Sequence, residues 1–199
     1  MTAPNSNPFR RSPWLYPFLA CFLLFILFSA KQINDFDLGF HLRTGQWILV
    51  NHAIPQKDLY TYTVPQHDYV DMEWLYEVGL FCAYKWFGYP ALTVLNIVLV
   101  FLAFGLVFAR MKVGGAAPWL YPFLGLWTLV AVEPRFIVRP EVLTWVLLAL
   151  QLYLLDLWWK GKKDLLFLLP LIQLLWVNTE GIFILGWVVM GAYLAGGWK

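Results

Sequence analysis

The chain has 199 residues, of which 61% are hydrophobic, 19% aromatic and only 13% charged. This composition is typical of an integral membrane protein and excludes an ordinary soluble domain, which needs far less apolar surface at this length. The formal net charge of +2 does not indicate a nucleic acid as partner.

Six apolar segments predict an all-α integral membrane protein, with residues 1–199 forming a single membrane domain. Several segments are shorter than the ~20 residues that cross a bilayer comfortably, so these helices must tilt or pack within a bundle. The first segment is long for a signal peptide, and Phe28 spoils the cleavage pattern, which favours an uncleaved anchor. The predicted spans are residues 14–30, 90–109, 117–133, 141–159, 164–178 and 181–198.

The distribution of basic residues predicts a cytoplasmic N-terminus, because lysine and arginine concentrate on the inner side of membranes. The large polar segment, residues 31–88, then faces away from the cytoplasm. The segments predicted to be inner carry most of the basic residues: Arg10, Arg11, Arg110, Lys112, Lys160, Lys162, Lys163 and Lys199.

The outer segment 31–88 contains two predicted amphipathic helices that lie on the membrane surface. In the first, residues 37–51, apolar side chains alternate with polar ones at helical spacing, and one face carries Asp37, His41, Thr44 and Ile48. The second begins near Asp71 and ends at Gly88. The stretch between them has proline and aspartate without a period, which predicts an ordered connector.

Asp35 and Asp37 form a D-x-D motif directly after the first span. One interpretation is structural, with Asp35 capping the following helix and Asp37 in its first turn. The other is functional, since carboxylates at a membrane surface can take a proton from an acceptor hydroxyl or hold a divalent cation. His41, one turn further on, then either joins such a metal site or only forms a hydrogen bond.

Further candidates follow along the outer side. Glu73 and Glu77 are one helical turn apart, and Glu77 needs a partner, for which Arg43 and Lys85 are available. Outer arginines run against the positive-inside trend, so Arg135 and Arg139 either pair with neighbouring glutamates or bind phosphate. Glu180, in the last outer turn, is expected to line a shared cavity.

Five stretches resemble motifs of the GT-C superfamily of membrane glycosyltransferases, and of uncharacterised bacterial proteins of the same type. The superfamily includes protein O-mannosyltransferases and aminoarabinose transferases. The stretches are "DFDLGFHLRTGQWIL" (35–49), "IPQKDLYTYT" (54–63), "YVDMEWLYE" (69–77), "RFIVRPEVLT" (135–144) and "LLWVNTEGIF" (174–183).

The resemblance implies an enzyme of the bacterial inner membrane that moves a sugar from a polyprenyl-phosphate carrier to an acceptor on the extracytoplasmic side. Asp35 or Asp37 would be the catalytic carboxylate, and Arg139 would contact the donor phosphate. Arg43, Glu73, Arg135 and Glu180 are the other predicted substrate-binding residues. A divalent cation, Mg²⁺ or Mn²⁺, is a possible cofactor, with Asp35, Asp37 and His41 as its ligands.

Two features depart from the family pattern and support an alternative hypothesis. Met72 and Glu180 stand where relatives tend to have histidine, and members of the superfamily usually have more than six spans. The chain would correspond to their N-terminal half, which leaves a truncated form as one interpretation. The alternative is a non-catalytic membrane scaffold or subunit that binds lipid or a partner membrane protein through its outer aromatic helices. A transporter is disfavoured because no charged residue marks the middle of a span.

Overall fold

The computed structural model describes residues 15–29, 35–63 and 67–197. All the regular secondary structure in these residues is helical, and no β-strand occurs among them, which confirms the predicted all-α class. Three short 3-10 helices lie at Glu133–Arg135, Leu166–Leu168 and Gly181–Phe183. The α-helices are α1 (Leu15–Ser29), α2 (Leu38–Asn51), α3 (Trp74–Phe87), α4 (Tyr89–Gly114), α5 (Leu120–Val132), α6 (Glu141–Trp159), α7 (Leu169–Val177) and α8 (Ile184–Gly197).

Two of the described helices, α4 with 26 residues and α6 with 19, are long and apolar enough to cross a membrane. Only 22% of the most apolar window of α4 is buried, which is less than a core helix of a soluble protein requires. The other predicted spans coincide with helices of 15, 13, 9 and 14 residues, and six spans are therefore not supported by helix length. Arg10 and Arg11, on which the predicted orientation partly depends, lie outside the described residues.

The bounds of α4 follow from its flanking residues. Gly88, with a φ of 68°, turns the chain out of α3, and Pro90 occupies the first turn of α4, where its missing N–H costs nothing. Gly115 ends the helix with a φ of 79° and donates its N–H to the carbonyl of Lys112. The apolar segment between Gly88 and Gly115 therefore forms one continuous helix of 26 residues.

The centre of the bundle is aromatic. Phe25 of α1 packs against Phe104 of α4, with ring centroids 4.1 Å apart. Phe136, in the connector between α5 and α6, lies beside both rings and is almost fully buried. The connector is therefore part of the core, and burial of these large apolar groups holds it against α1 and α4.

Polar side chains tie the later helices together. Gln151 of α6 donates to the carbonyl of Gly186 at 2.7 Å, and Gln173 of α7 donates to the carbonyl of Phe183 at 2.9 Å. At the far end of α4, Arg110 Nε donates to Asp156 Oδ2 at 2.6 Å. The two glutamine bonds tie α6 and α7 to the chain at the start of α8, and the arginine bond joins α4 to α6.

Helices α2 and α3 form a hairpin that docks on the N-terminal ends of α4 and α6. Its apolar face contains Leu38, Tyr76 and Leu80, which pack against Leu92 of α4 and Val138 of the α5–α6 connector. The face of α2 that carries His41, Thr44 and Ile48 is buried. The hairpin therefore brings the polar ends of α2 and α3 to the connector 136–140.

The two helices of the hairpin approach each other most closely at Gly45. A Cβ atom at this position would lie 2.6 Å from the carbonyl carbon of Glu77 and 3.0 Å from Cβ of Phe81. Because backbone atoms cannot move aside as a flexible side chain can, only glycine permits this crossing. The same contact places Glu77 next to the buried face of α2.

The substitution Gly45→Ala is therefore expected to separate α2 from α3 and to lower the free energy of unfolding by about 1–3 kcal/mol. Gly39→Ala is the matched control, since a Cβ atom there meets nothing within 4 Å. The control should be neutral or stabilising by up to about 1 kcal/mol, because alanine favours the helix. Thermal unfolding of both variants in detergent micelles measures the difference, and equal stabilities would contradict the close packing.

Candidate functional site

Polar side chains from four parts of the chain meet at the docked hairpin. We call this group the acid cluster, and it comes from the start of α2, the start of α3, the α5–α6 connector and the turn before α8. Six carboxylates share the region with one arginine and one histidine, so the cluster is strongly acidic. Its members are Asp35, Asp37, His41, Asp71, Glu73, Glu77, Arg139 and Glu180.

Arg139 joins the connector to the start of α2. Its Nε and Nη2 donate to the two carboxylate oxygens of Asp35 at 3.0 and 2.9 Å, and Nη2 also donates to Asp37 Oδ2 at 2.9 Å. Parallel hydrogen bonds of this kind are the strongest form of arginine–carboxylate pairing. Among the described residues, Nη1 of Arg139 has no hydrogen-bond partner, so one edge of the guanidinium remains available.

The two aspartates differ in their surroundings. The Asp35 side chain is fully buried, whereas that of Asp37 is 59% exposed. Burial disfavours ionisation of Asp35, but the hydrogen bond from Arg139, the N–H of Asp37 and the arginine charge together outweigh it and lower the pKa of Asp35. Asp35 is thus an ionised anchor for Arg139, and Asp37 offers a carboxylate to solvent.

The expected cap of α2 takes a different form. Asp37, not Asp35, precedes the first helical residue, and its side chain makes no capping hydrogen bond. Instead, Asp35 Oδ1 accepts the N–H of Asp37 at 3.1 Å. Both aspartates are oriented mainly by Arg139, because the charged hydrogen bonds are stronger than a neutral cap.

His41 faces the glutamates of α3. Its Nδ1 lies 3.0 Å from Glu77 Oε1 and 3.7 Å from Glu73 Oε2. Burial lowers the pKa of His41, and the neighbouring carboxylates only partly oppose this effect, so the imidazole is neutral at neutral pH. The contact with Glu77 is therefore a buried hydrogen bond between uncharged partners.

Glu77 is fully buried, and its Oε2 has no hydrogen-bond donor among the described residues. The same is true of Oδ2 of the buried Asp71. Burial raises the pKa of Glu77 to about 9, and the charge of Asp71 and a hydrogen bond to it contribute. A protonated Glu77 that donates to Asp71 would satisfy both orphan oxygens, since two ionised carboxylates cannot bond to each other.

Glu73 lies at the rim of the cluster, with a third of its side chain exposed. Burial is the main cause that raises its pKa, and the charges of Glu180, Asp71 and Asp37 act in the same direction against the opposing effect of His41. The cluster thus combines an ionised Asp35 beside Arg139 with two glutamates, Glu73 and Glu77, whose pKa values are raised. Such a combination supplies both acid and base functions at one pH.

A chain of hydrogen bonds from α6 and α7 holds the carboxylate of Glu180 in place. Thr144 Oγ1 donates to Glu180 Oε2 at 2.8 Å, and Trp176 Nε1 donates to Thr144 Oγ1 at 2.9 Å. Beside it, Trp74 Nε1 donates to Asn178 Oδ1 at 2.9 Å, which ties α3 to the turn before α8. Glu180 also caps the following 3-10 helix, because its carboxylate accepts the N–H of Ile182 at 3.2 Å.

Two of the predicted substrate-binding residues lie apart from these contacts. Arg43 donates to Gln46 at 3.0 Å on the exposed side of α2, and it does not pair with Glu77. Arg135 pairs with Glu141 at 3.1 Å, which is the local pairing considered for the outer arginines. Arg139 instead reaches the two aspartates more than a hundred residues away in sequence.

The predicted ligand set for a divalent cation is divided between two groups. Asp35 and Asp37 bind Arg139, whereas His41 contacts the α3 glutamates. Among the described residues, the side chains with the spacing of metal ligands are His41, Glu73 and Glu77, whose ligand atoms lie within 4.8 Å of one another. The geometry therefore favours a metal site at His41, Glu73 and Glu77 over one at the D-x-D motif.

Asp71 and Glu77 belong to the cluster but were not among the predicted catalytic, substrate-binding or metal-binding residues. Asp71 Oδ1 accepts the N–H of Glu73 at 3.0 Å, and the Asp71 carboxyl group also interacts with Glu77. Glu77 stood out as a carboxylate on an otherwise apolar helical face, which is the signal that identifies a buried acid. Its partner could not be found from spacing, because His41 belongs to another helix.

The substitution Arg139→Gln is expected to lower the free energy of unfolding by about 3–5 kcal/mol, because it leaves the buried Asp35 charge without a partner. The double variant Arg139→Gln/Asp35→Asn should recover a large part of this loss. Arg135→Gln is the matched control, because the exposed pair with Glu141 contributes at most about 1 kcal/mol. Chemical unfolding in micelles measures all three, and similar losses for the two arginine variants would contradict the buried pairing.

No known protein family, no curated protein and no solved structure matches the chain. The resemblance to GT-C glycosyltransferases therefore stays a prediction based on the sequence motifs.

Proposed function

We propose that this chain is a membrane glycosyltransferase, which moves a sugar from a polyprenyl-phosphate carrier to an acceptor on the extracytoplasmic side of the bacterial inner membrane. The observation that carries the proposal is the position of Arg139, which is held by Asp35 and Asp37 where the hairpin docks on the membrane-type helices α4 and α6. A phosphate-binding cation and a carboxylate base thus lie side by side.

The proposal places all six apolar helices in the membrane, with the N-terminus in the cytoplasm. Helices α1, α5, α7 and α8 are short, but each exposes large apolar side chains that would be unfavourable in water. Local thinning of the bilayer and flanking residues that reach the interface accommodate spans of this length. The exposed side chains include Leu23, Leu27, Phe123, Trp127, Val130, Leu171, Leu174, Trp187, Val188 and Leu194.

Arg139 would bind the carrier phosphate through its free Nη1 edge, while Asp35 keeps the guanidinium in place. A cavity of about 430 Å³ between α4, α5 and α6 could take part of the carrier's isoprenoid chain. Its lining is apolar and includes Val132 and Trp145, which also pack against the buried connector residue Phe136. The connector would then join the lipid-binding and phosphate-binding parts of the site.

Asp37 is the proposed catalytic base. Its carboxylate is exposed, so an acceptor hydroxyl group can approach it, and it lies beside Arg139, where the phosphate would bind. The acceptor hydroxyl oxygen would form a bond to the anomeric carbon of the sugar while its proton passes to Asp37. The bond between that carbon and the phosphate oxygen breaks, and the electron pair leaves with polyprenyl phosphate. Glu73 and Glu180, at the other side of the cluster, would bind sugar hydroxyl groups.

The scaffold or subunit hypothesis is favoured by a different observation. The outer segment exposes large apolar side chains away from the predicted spans, including Phe36, which is 93% exposed, and Tyr62, which is 91% exposed. Such groups suit a membrane interface or a partner protein. This function would require the apolar side chains and tolerate neutralisation of the aspartates.

The test is sugar transfer from a panel of radiolabelled undecaprenyl-phosphate sugars in membranes that contain the protein and supply the acceptor. Asp37→Asn should reduce transfer about 10²- to 10⁴-fold at unchanged protein level, as expected for loss of a general base. Asp35→Asn should also reduce transfer, because Arg139 loses its anchor.

The matched control is Asp68→Asn, which neutralises an exposed carboxylate of the same outer segment that pairs with Lys57 outside the cluster. Its transfer rate should equal that of the wild type. Full activity of both Asp35→Asn and Asp37→Asn would contradict the proposal, and an absence of transfer by the folded wild type would favour the scaffold hypothesis.

A further inference from the structure

We propose that His41, Glu73 and Glu77 bind a divalent transition-metal cation, with Asp71 as a fourth ligand or as the partner of Glu77. The site lies where α2 meets α3, and it is separate from the contacts of Arg139 with Asp35 and Asp37. It differs from the ligand set that the sequence suggested, and it does not depend on the proposed transferase activity.

The separations between the donor atoms fit a single ion. Ligands about 2.1 Å from a metal lie about 3.0 Å apart in octahedral geometry and about 3.4 Å apart in tetrahedral geometry. His41 Nδ1 lies 3.0 Å from Glu77 Oε1 and 3.7 Å from Glu73 Oε2, and all three ligand atoms lie within 4.8 Å of one another. Glu73 is partly exposed, so a small rotation of its side chain closes the remaining gap.

Two orphan oxygens give a second reason for a cation. Glu77 Oε2 is in a side chain with no exposure, and Asp71 Oδ2 is in a residue that is 6% exposed, yet neither has a hydrogen-bond donor. Buried carboxylate oxygens without donors are costly unless a proton or a metal ion neutralises them. Asp71 and Glu77 also interact directly, so the two carboxyl groups that carry these oxygens are neighbours.

The surrounding charges also favour a cation over an empty site. Arg139 is already engaged by Asp35 and Asp37, and His41 is buried with no positive charge beside it. One imidazole nitrogen combined with carboxylate oxygens suits Zn²⁺ or Mn²⁺ better than Mg²⁺, which prefers oxygen ligands and water. We therefore expect Zn²⁺ to bind most tightly and Mg²⁺ most weakly.

The test is binding of Zn²⁺, Mn²⁺ and Mg²⁺ to the full chain in detergent micelles after treatment with a chelator. Calorimetry should give one saturable Zn²⁺ site per chain, and bound Mn²⁺ should lose its free-ion electron paramagnetic resonance signal. The melting temperature should rise with Zn²⁺ concentration, since an ion that binds only the folded state stabilises it.

Glu73→Gln and His41→Gln should each weaken Zn²⁺ binding by at least about tenfold. Glu73 is at the rim, so its variant should fold even if a change at the buried His41 does not. Glu141→Gln is the matched control, because this outer glutamate pairs with Arg135 away from the site, and its affinity should equal that of the wild type. No saturable binding by the wild type, or equal binding by Glu73→Gln and wild type, would overturn the proposal.

Discussion

The ion pair between Arg139 and the buried carboxylate of Asp35 is the interaction on which the docked hairpin and the acid cluster depend. It joins the α5–α6 connector to the start of α2, and no other described cation is placed to neutralise Asp35. Phe136 anchors the connector in the aromatic core three residues earlier, so the guanidinium has a fixed position relative to the bundle. A buried charge of this kind is costly without its partner, which is why the geometry of the cluster is well determined.

The crossing of α2 and α3 imposes a second constraint, and it creates chemistry that neither helix has alone. The close contact at Gly45 brings the backbone of Glu77 against α2, and His41, one turn before Gly45, then meets the Glu77 side chain. Burial disfavours charge on both groups, so they share a hydrogen bond rather than an ion pair. The hairpin thus turns an apolar helix contact into a buried polar site that a proton or a metal ion must complete.

The sequence predicted the local structure better than the site. The helical period in residues 37–51 correctly placed His41, Thr44 and Ile48 on one face of α2, but it did not show that this face is the buried one. The same geometry could have excluded Arg43 as a partner of Glu77. Arg43 is two positions after His41, which faces Glu77, and residues two positions apart point about 200° apart around a helix. The pairing of Arg139 with Asp35 and Asp37 could not be predicted, because its partners are far away in sequence and local pairing with Glu133 or Glu141 was equally consistent with spacing.

The most direct test of the account is binding of undecaprenyl phosphate to the detergent-purified chain, measured by native mass spectrometry. The comparison is between wild type, Arg139→Lys and Arg135→Lys, since lysine keeps the positive charge but loses the bidentate geometry. We predict that the wild type binds undecaprenyl phosphate in preference to undecaprenol, that Arg139→Lys weakens binding about tenfold, and that Arg135→Lys has no effect. Equal binding of the phosphate and the alcohol, or unchanged binding by Arg139→Lys, would contradict the account.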